Sequence, residues 1–213
     1  LLATLKGVDS KIDEEKRAYD NAVKAIGELE TAVKTADSEC KHDYVRQATT
    51  SKLSEGRTAL ANARRDVAVA KADWNAIAQR TEAGKELCKK ARELSAADKK
   101  AGTEAKAAIE QAQQKIDGVK RASFKKSKTI GGTNKTFGEN VRANTSSAAA
   151  LLTAAETLFD NQDYEKADKK AGEAYQSAET AEETAAQEVA TAIGVAVAYH
   201  PSPCGRQAGG KTA

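Results

Sequence analysis

Apolar residues recur every seven positions along most of this chain. No other feature restricts its fold as strongly. In the opening stretch, Leu5, Ile12, Tyr19, Ile26, Val33 and Cys40 form one such row. Val8, Ala22, Leu29 and Ala36 add the partner positions three residues further on, with Glu15 as the exception. A seven-residue period marks a helix that packs lengthwise against others and supercoils left-handed. The spacing predicts a first helix over about residues 2–46. The following Arg46–Ser51 carries β-branched and cap-type residues, which suits a tight turn with Thr50 or Ser51 as the next N-cap.

A second row begins at once with Leu53, Leu60, Val67 and Trp74 and continues through Thr81 and Cys88. It weakens at Ser95 and Gly102 and resumes at Ile109 and Ile116. Leu87 and Leu94 suggest a one-residue slip midway. Unbroken from 53 to 119, this helix would be ~100 Å long. Gly84, Gly102 and Gly118 are the expected places for a bend or an end. A third row spans about 148–198 and becomes nearly all alanine after Tyr164, which draws neighbouring backbones close together. Pro201 ends it, and 201–213 reads as a flexible C-terminal tail. Between the second and third rows, residues 121–147 hold Gly131–Gly132, Gly138 and many Ser, Thr and Asn, and read as a loop-built head.

Composition agrees with long helices and a thin core. Alanine is about a fifth of the chain, aromatic residues are 4%, Met is absent, and both prolines lie beyond residue 200. The expected fold is all-α: an elongated three-helix bundle with coiled-coil-like packing, one domain over 1–200. No 18-residue apolar stretch is present, so nothing reads as a membrane span. The chain does not begin with Met, and its start lacks a signal-peptide pattern. It reads as a trimmed piece whose targeting signals are already gone.

Few residues suggest chemistry. The three cysteines form no tight ligand pair. In an up-down-up rod, Cys40 and Cys204 fall at one level and are the disulfide candidates, with Cys88 ~40 Å away. Cys40, His42 and Asp43 make at most half a metal site and read as a seam cysteine followed by solvated polar residues. His200 near Cys204 reads as an ordinary helix end. With two histidines and no nucleophile pattern, no catalytic constellation assembles, and neither a cofactor nor a small-molecule substrate is expected. The near balance of 34 basic and 31 acidic residues argues against nucleic acid. The local basic run Lys120, Arg121, Lys125, Lys126 and Lys128 is the exception. With Phe124 and Phe137 it forms a candidate interaction surface. Asn134 and Asn144 begin N-glycosylation sequons in the same loop, which favours a secreted glycoprotein. The stretch Thr157–Glu179, with Asp163–Tyr164 at its turn, resembles a single tetratricopeptide unit, but no second copy recurs.

The long seams, the alanine core, the stretch AETAEETAAQEVATA and the head between helices two and three are similar to the elongated helical surface proteins of African trypanosomes. The glutamic acid/alanine-rich and alanine-rich coat proteins of the insect stages are the nearest in kind. The chain departs from them in its modest glutamate content and slightly basic charge. The resemblance implies a non-enzymatic, structural and protective coat protein. It would sit on the extracellular face of the plasma membrane through a glycolipid anchor lost from this chain. Its head would face outward and its tail would lead to the anchor. Related members include nutrient receptors, so a receptor or adhesin binding a host protein through the 121–147 head is the first alternative. An intracellular coiled-coil scaffold is the second.

Overall fold

A computed structural model describes residues 2–69 and 72–198, with side-chain surroundings for 8–69 and 72–196. The described chain is mostly helical: α1 (Leu2–Glu39), α2 (Gln47–Val67), α3 (Trp74–Arg121), α4 (Ser146–Asp160) and α5 (Tyr164–Ala198). A two-stranded antiparallel sheet, β1 (Phe124–Ile130) and β2 (Thr133–Val141), stands between α3 and α4. The chain divides into two compact units, Leu1–Glu104 and Ala105–Ala213.

In the first unit, Leu29, Val33 and Ala36 of α1 pack with Leu53 and Leu60 of α2 and with Cys88 and Ala91 of α3. A second cluster joins Ala22, Ala63 and Ile77. The seven-residue rows are therefore the buried faces. Two glycines allow the helices to approach closely. A Cβ on Gly56 would lie 2.7 Å from Cys88 Sγ, and one on Gly84 would lie 2.9 Å from Ala59 Cβ. Among the described residues, the first row is buried only from Ala22 onward, and Val8, Ile12 and Tyr19 stay exposed. Ala22 already packs beside Ala63, near the C-terminal end of α2, so little of α2 remains to cover earlier turns of α1.

The second row is not one helix. It stops at Val67 and restarts at Trp74, and no glycine is involved. Asp73 caps the restart, its Oδ1 accepting from the Ala76 N–H at 3.0 Å. Gly84, Gly102 and Gly118 lie inside continuous α3. Leu94 is among the exposed large hydrophobics, while Ser95 and Thr81 are buried. The stripe on α3 therefore does not slip. The first helix ends at Glu39 rather than near 46, and residues 40–46 form a docked connector.

In the second unit, Ala112, Ile116 and Val119 pack with Ala148, Leu152 and Ala155 of α4 and with Ala171, Ala174 and Ala178 of α5. The third row is thus two helices. The turn has Gln162 at φ 62°, Gln162 N–H donating to Phe159 O at 2.9 Å and Asp163 N–H to Leu158 O at 2.9 Å. This is a Schellman motif with glutamine where glycine is usual.

The head is a β-hairpin, not a loop. Gly131 and Gly132, at φ 59° and 79°, make the two-residue turn between paired Ile130 and Thr133. Both strands pack on α5, where Gly138 (φ 78°) meets the buried Val189. The hairpin accordingly lies beside the C-terminal part of α5, the segment that leads into the tail.

Candidate functional site

Two groups of side chains in the structure are more than helix packing. The first is a buried clamp in the first unit. Asp98 of α3 is 4% exposed and faces the N-terminus of α2. Its Oδ2 accepts from Thr49 Oγ1 at 2.6 Å and from the Arg46 backbone N–H at 3.0 Å. Arg46 Nε stands 3.3 Å from Oδ1. Neither Thr50 nor Ser51 caps α2; Arg46 occupies the N-cap position without a side-chain cap bond. A carboxylate from another helix does that work, at the end where the helix dipole favours negative charge. Ser95, one turn away, donates through Oγ to Glu39 O at 2.9 Å. His42 Nε2 lies 3.1 Å from Ser95 O and 2.8 Å from Ser95 Oγ, while His42 Nδ1 accepts from the Tyr44 N–H at 3.2 Å. These bonds fit the tautomer with hydrogen on Nε2. Tyr44 lies against Gly102, where a Cβ would meet its ring.

The clamp explains the weak places in the second row. Ser95 and Gly102 interrupt the apolar seam because the 40–46 connector packs there. His42 is half-buried and hydrogen-bonded, not solvated. Asp98 and Thr49 were not singled out by sequence reasoning. A buried carboxylate looks like any surface acid in a Glu- and Lys-rich helix until its partners are known.

Cys40 and Cys88 share one apolar cluster, against the expected separation. α3 runs back along α2 and so packs beside α1. Cys40 Sγ donates to Ala91 O at 3.8 Å, and burial, then Asp37 and Cys40, push the Cys88 thiol pKa upward. Among the described residues neither forms a disulfide. The Cys40–Cys204 pairing falls on Cys204, outside the described residues, as does His200. No group of three or more His, Cys, Asp or Glu is placed to hold a metal among the described residues. No described helix is long and apolar enough to cross a membrane.

The second group is the hairpin. Its register pairs Lys126 with Phe137, Lys128 with Lys135 and Thr129 with Asn134. Cross-strand partners and alternate residues share a face. Lys126, Lys128 and Lys135 therefore stand on one face with Ile130 and Phe137. Ser127, Thr129, Asn134 and Thr136 stand on the other, where Ser127 Oγ and Thr136 Oγ1 are 3.3 Å apart. All four hairpin lysines, Lys125 included, are exposed, whereas Phe124 and Phe137 are half-buried. The candidate surface is thus brought together as cations, and its aromatics serve to seat it. Arg142 Nη1 donates to Ala122 O at 3.1 Å and ties the base of the hairpin.

Asn134 and Asn144 are both exposed. Asn144 Oδ1 accepts from Ser146 N–H at 3.1 Å and from Ser146 Oγ at 2.7 Å, which stabilises the entry to α4. An open groove of about 840 Å³ runs between α2 and α3, lined by Ser51, Ser54, Thr58, Asn62, Arg80 and Gly84 among others. It holds no cluster of reactive side chains. No known family model, curated protein or solved structure matches this chain.

Proposed function

We propose that this chain is a non-enzymatic coat protein of a parasite cell surface. Its role is structural and protective, and it is held on the extracellular face of the plasma membrane by a glycolipid anchor. The reading takes the described helices as parts of an elongated bundle of the kind the trypanosome resemblance implies. The observation that carries it is the placement of the two sequons. Asn134 and Asn144 are exposed on or beside a hairpin that packs on α5 of an alanine-packed helical unit. Alanine packing supports the same reading, because it builds long helices that lie close together without forming a large apolar interior.

The test is surface biotinylation of the native protein, followed by glycosidase and phosphatidylinositol-specific phospholipase treatment. The expected result is a labelled, glycosidase-sensitive protein released by the lipase. An unlabelled protein that keeps its mobility and stays with the cell after lipase treatment overturns the reading and favours the scaffold. A surface receptor or adhesin acting through the hairpin is the second reading. It is favoured by the lysines gathered on one ribbon face.

A further inference from the structure

We infer that the β1–β2 ribbon binds a sulfated linear polysaccharide. The inference rests on the extracellular part of the reading above and not on the lipid anchor.

The first support is charge segregation. Between Gly118 and Ser146 the chain has seven basic residues and one acidic residue, Glu139. Outside this segment, the chain totals of 34 basic and 31 acidic leave 27 and 30, a net charge of −3. All of the net positive charge is therefore concentrated around the hairpin, and such asymmetry points to a polyanionic partner.

The second support is the arrangement within the ribbon. Lys126 and Lys128 are two residues apart on one strand, about 6.8 Å. Lys128 stands directly across from Lys135, about 5 Å away at the backbone. Like charges directly opposite destabilise a two-stranded sheet. Among the described residues, no carboxylate forms an ion pair with Lys125, Lys126, Lys128 or Lys135. Folding alone gives no reason to place three ammonium groups together, whereas a string of sulfates would relieve their repulsion.

The third support is what the surface lacks. None of the exposed large hydrophobic side chains belongs to the hairpin. A lipid surface would want an exposed apolar residue to insert, and the tip here is Gly131, Gly132 and Thr133. A protein partner would want an aromatic or apolar centre. Single-stranded nucleic acid would want exposed aromatic stacking platforms, and Phe124 and Phe137 are half-buried. Exposed lysines beside Ser, Thr and Asn side chains match a hydrophilic chain of sulfate and hydroxyl groups. Lysine, a compact and strongly hydrated charge, suits ionic capture of sulfate without the bidentate geometry of arginine. Asn134 lies on the opposite face, so a glycan there leaves the lysine face open.

The test uses the full chain with fluorescent heparin oligosaccharide as the probe. Fully desulfated heparin, phosphatidylserine vesicles and a single-stranded oligonucleotide are the comparison arms. Heparin is expected to bind with an affinity that falls steeply with salt, and the desulfated form is expected not to bind. Replacing the three lysines (Lys126→Gln, Lys128→Gln, Lys135→Gln) should weaken binding about 10- to 100-fold. It should also lower the log–log salt slope by about 2. The matching triple Arg variant should stay within a few-fold of the parent. Circular dichroism checks that both variants keep their helicity. Four outcomes overturn the inference: no heparin binding, a flat salt dependence of the unmodified chain, a folded triple Gln variant that binds unchanged, or equal or tighter binding to vesicles or oligonucleotide. Heparin binding without lipase release would remove the anchor and leave this surface standing. Lipase release without heparin binding would do the reverse.

Discussion

Gln162 shows how a single residue can be at odds with its backbone. It holds φ 62° at the Schellman turn between α4 and α5. A side chain with a Cβ is strained in this left-handed region, and glycine is not. Gln162→Gly should therefore raise the unfolding free energy by about 1 kcal/mol, measured by urea denaturation. An unchanged or lower value would show that the turn gains more from the glutamine side chain than it loses in strain. Gly138 is the opposite case. It has both a positive φ and Val189 against its α-carbon, so any side chain there should lift the hairpin from α5. Neither requirement was visible in the sequence. Glutamine in DNQD looks like any polar turn residue, and Gly138 looks like one more loop glycine.

At the scale of elements, the connector from α1 to α2 is held by side chains of α3. Asp98→Ala would strip Thr49 Oγ1 and the Arg46 N–H of their shared acceptor in a buried place. The expected loss is about 3 kcal/mol, read by chemical denaturation. A loss under ~1 kcal/mol would mean that water replaces the carboxylate and that the clamp is incidental. The outer faces of the same helices are joined by ion pairs: Arg92–Glu39 at 2.6 Å, Lys85–Glu28 at 2.7 Å and Arg64–Glu30 at 2.7 Å. Hydrogen bonds from Arg92 to Glu39, from Lys85 to Glu28, and from Lys34 and Arg64 to Glu30 lower these carboxyl pKa values. A lowered folded-state pKa adds stability above the ordinary carboxylate range and loses it as pH falls through the folded value. Melting temperature should therefore be level from neutral pH down to about 5 and fall below about 4. The fall should shrink in high salt, because these groups are exposed and screened. A melting temperature that rises on acidification would contradict the role given to these pairs.

At the scale of the molecule, the proposed surface role predicts glycans on the exposed Asn134 and Asn144, so glycosidase treatment of the native protein should lower its mass, and an unchanged mass would count against that role. The seven-residue rows were legible because helical periodicity repeats within a few residues of itself. They correctly placed the buried faces of α2 and α3 and the alanine interior of the second unit. The hairpin had a legible signal too, in Gly131–Gly132 between stretches of Thr, Ile, Lys and Phe, but the abundance of polar residues hid its two-residue alternation.

The sequence by itself determined that the chain is built from long helices, which stripes they bury, and that alanine sets their close spacing. These properties follow from side-chain size and a 3.6-residue repeat, both local. Only the tertiary structure decided where those helices stop and turn back. Val67 and Trp74 both fit one row, yet α2 ends at the first and α3, which starts at the second, runs back along α2. Ser95 and Gly102 interrupt a row of apolar residues, yet they receive His42 and Tyr44. The reason is physical. A helix end is settled by whatever satisfies its free N–H and C=O groups, and at α2 that acceptor is Asp98, far along the chain.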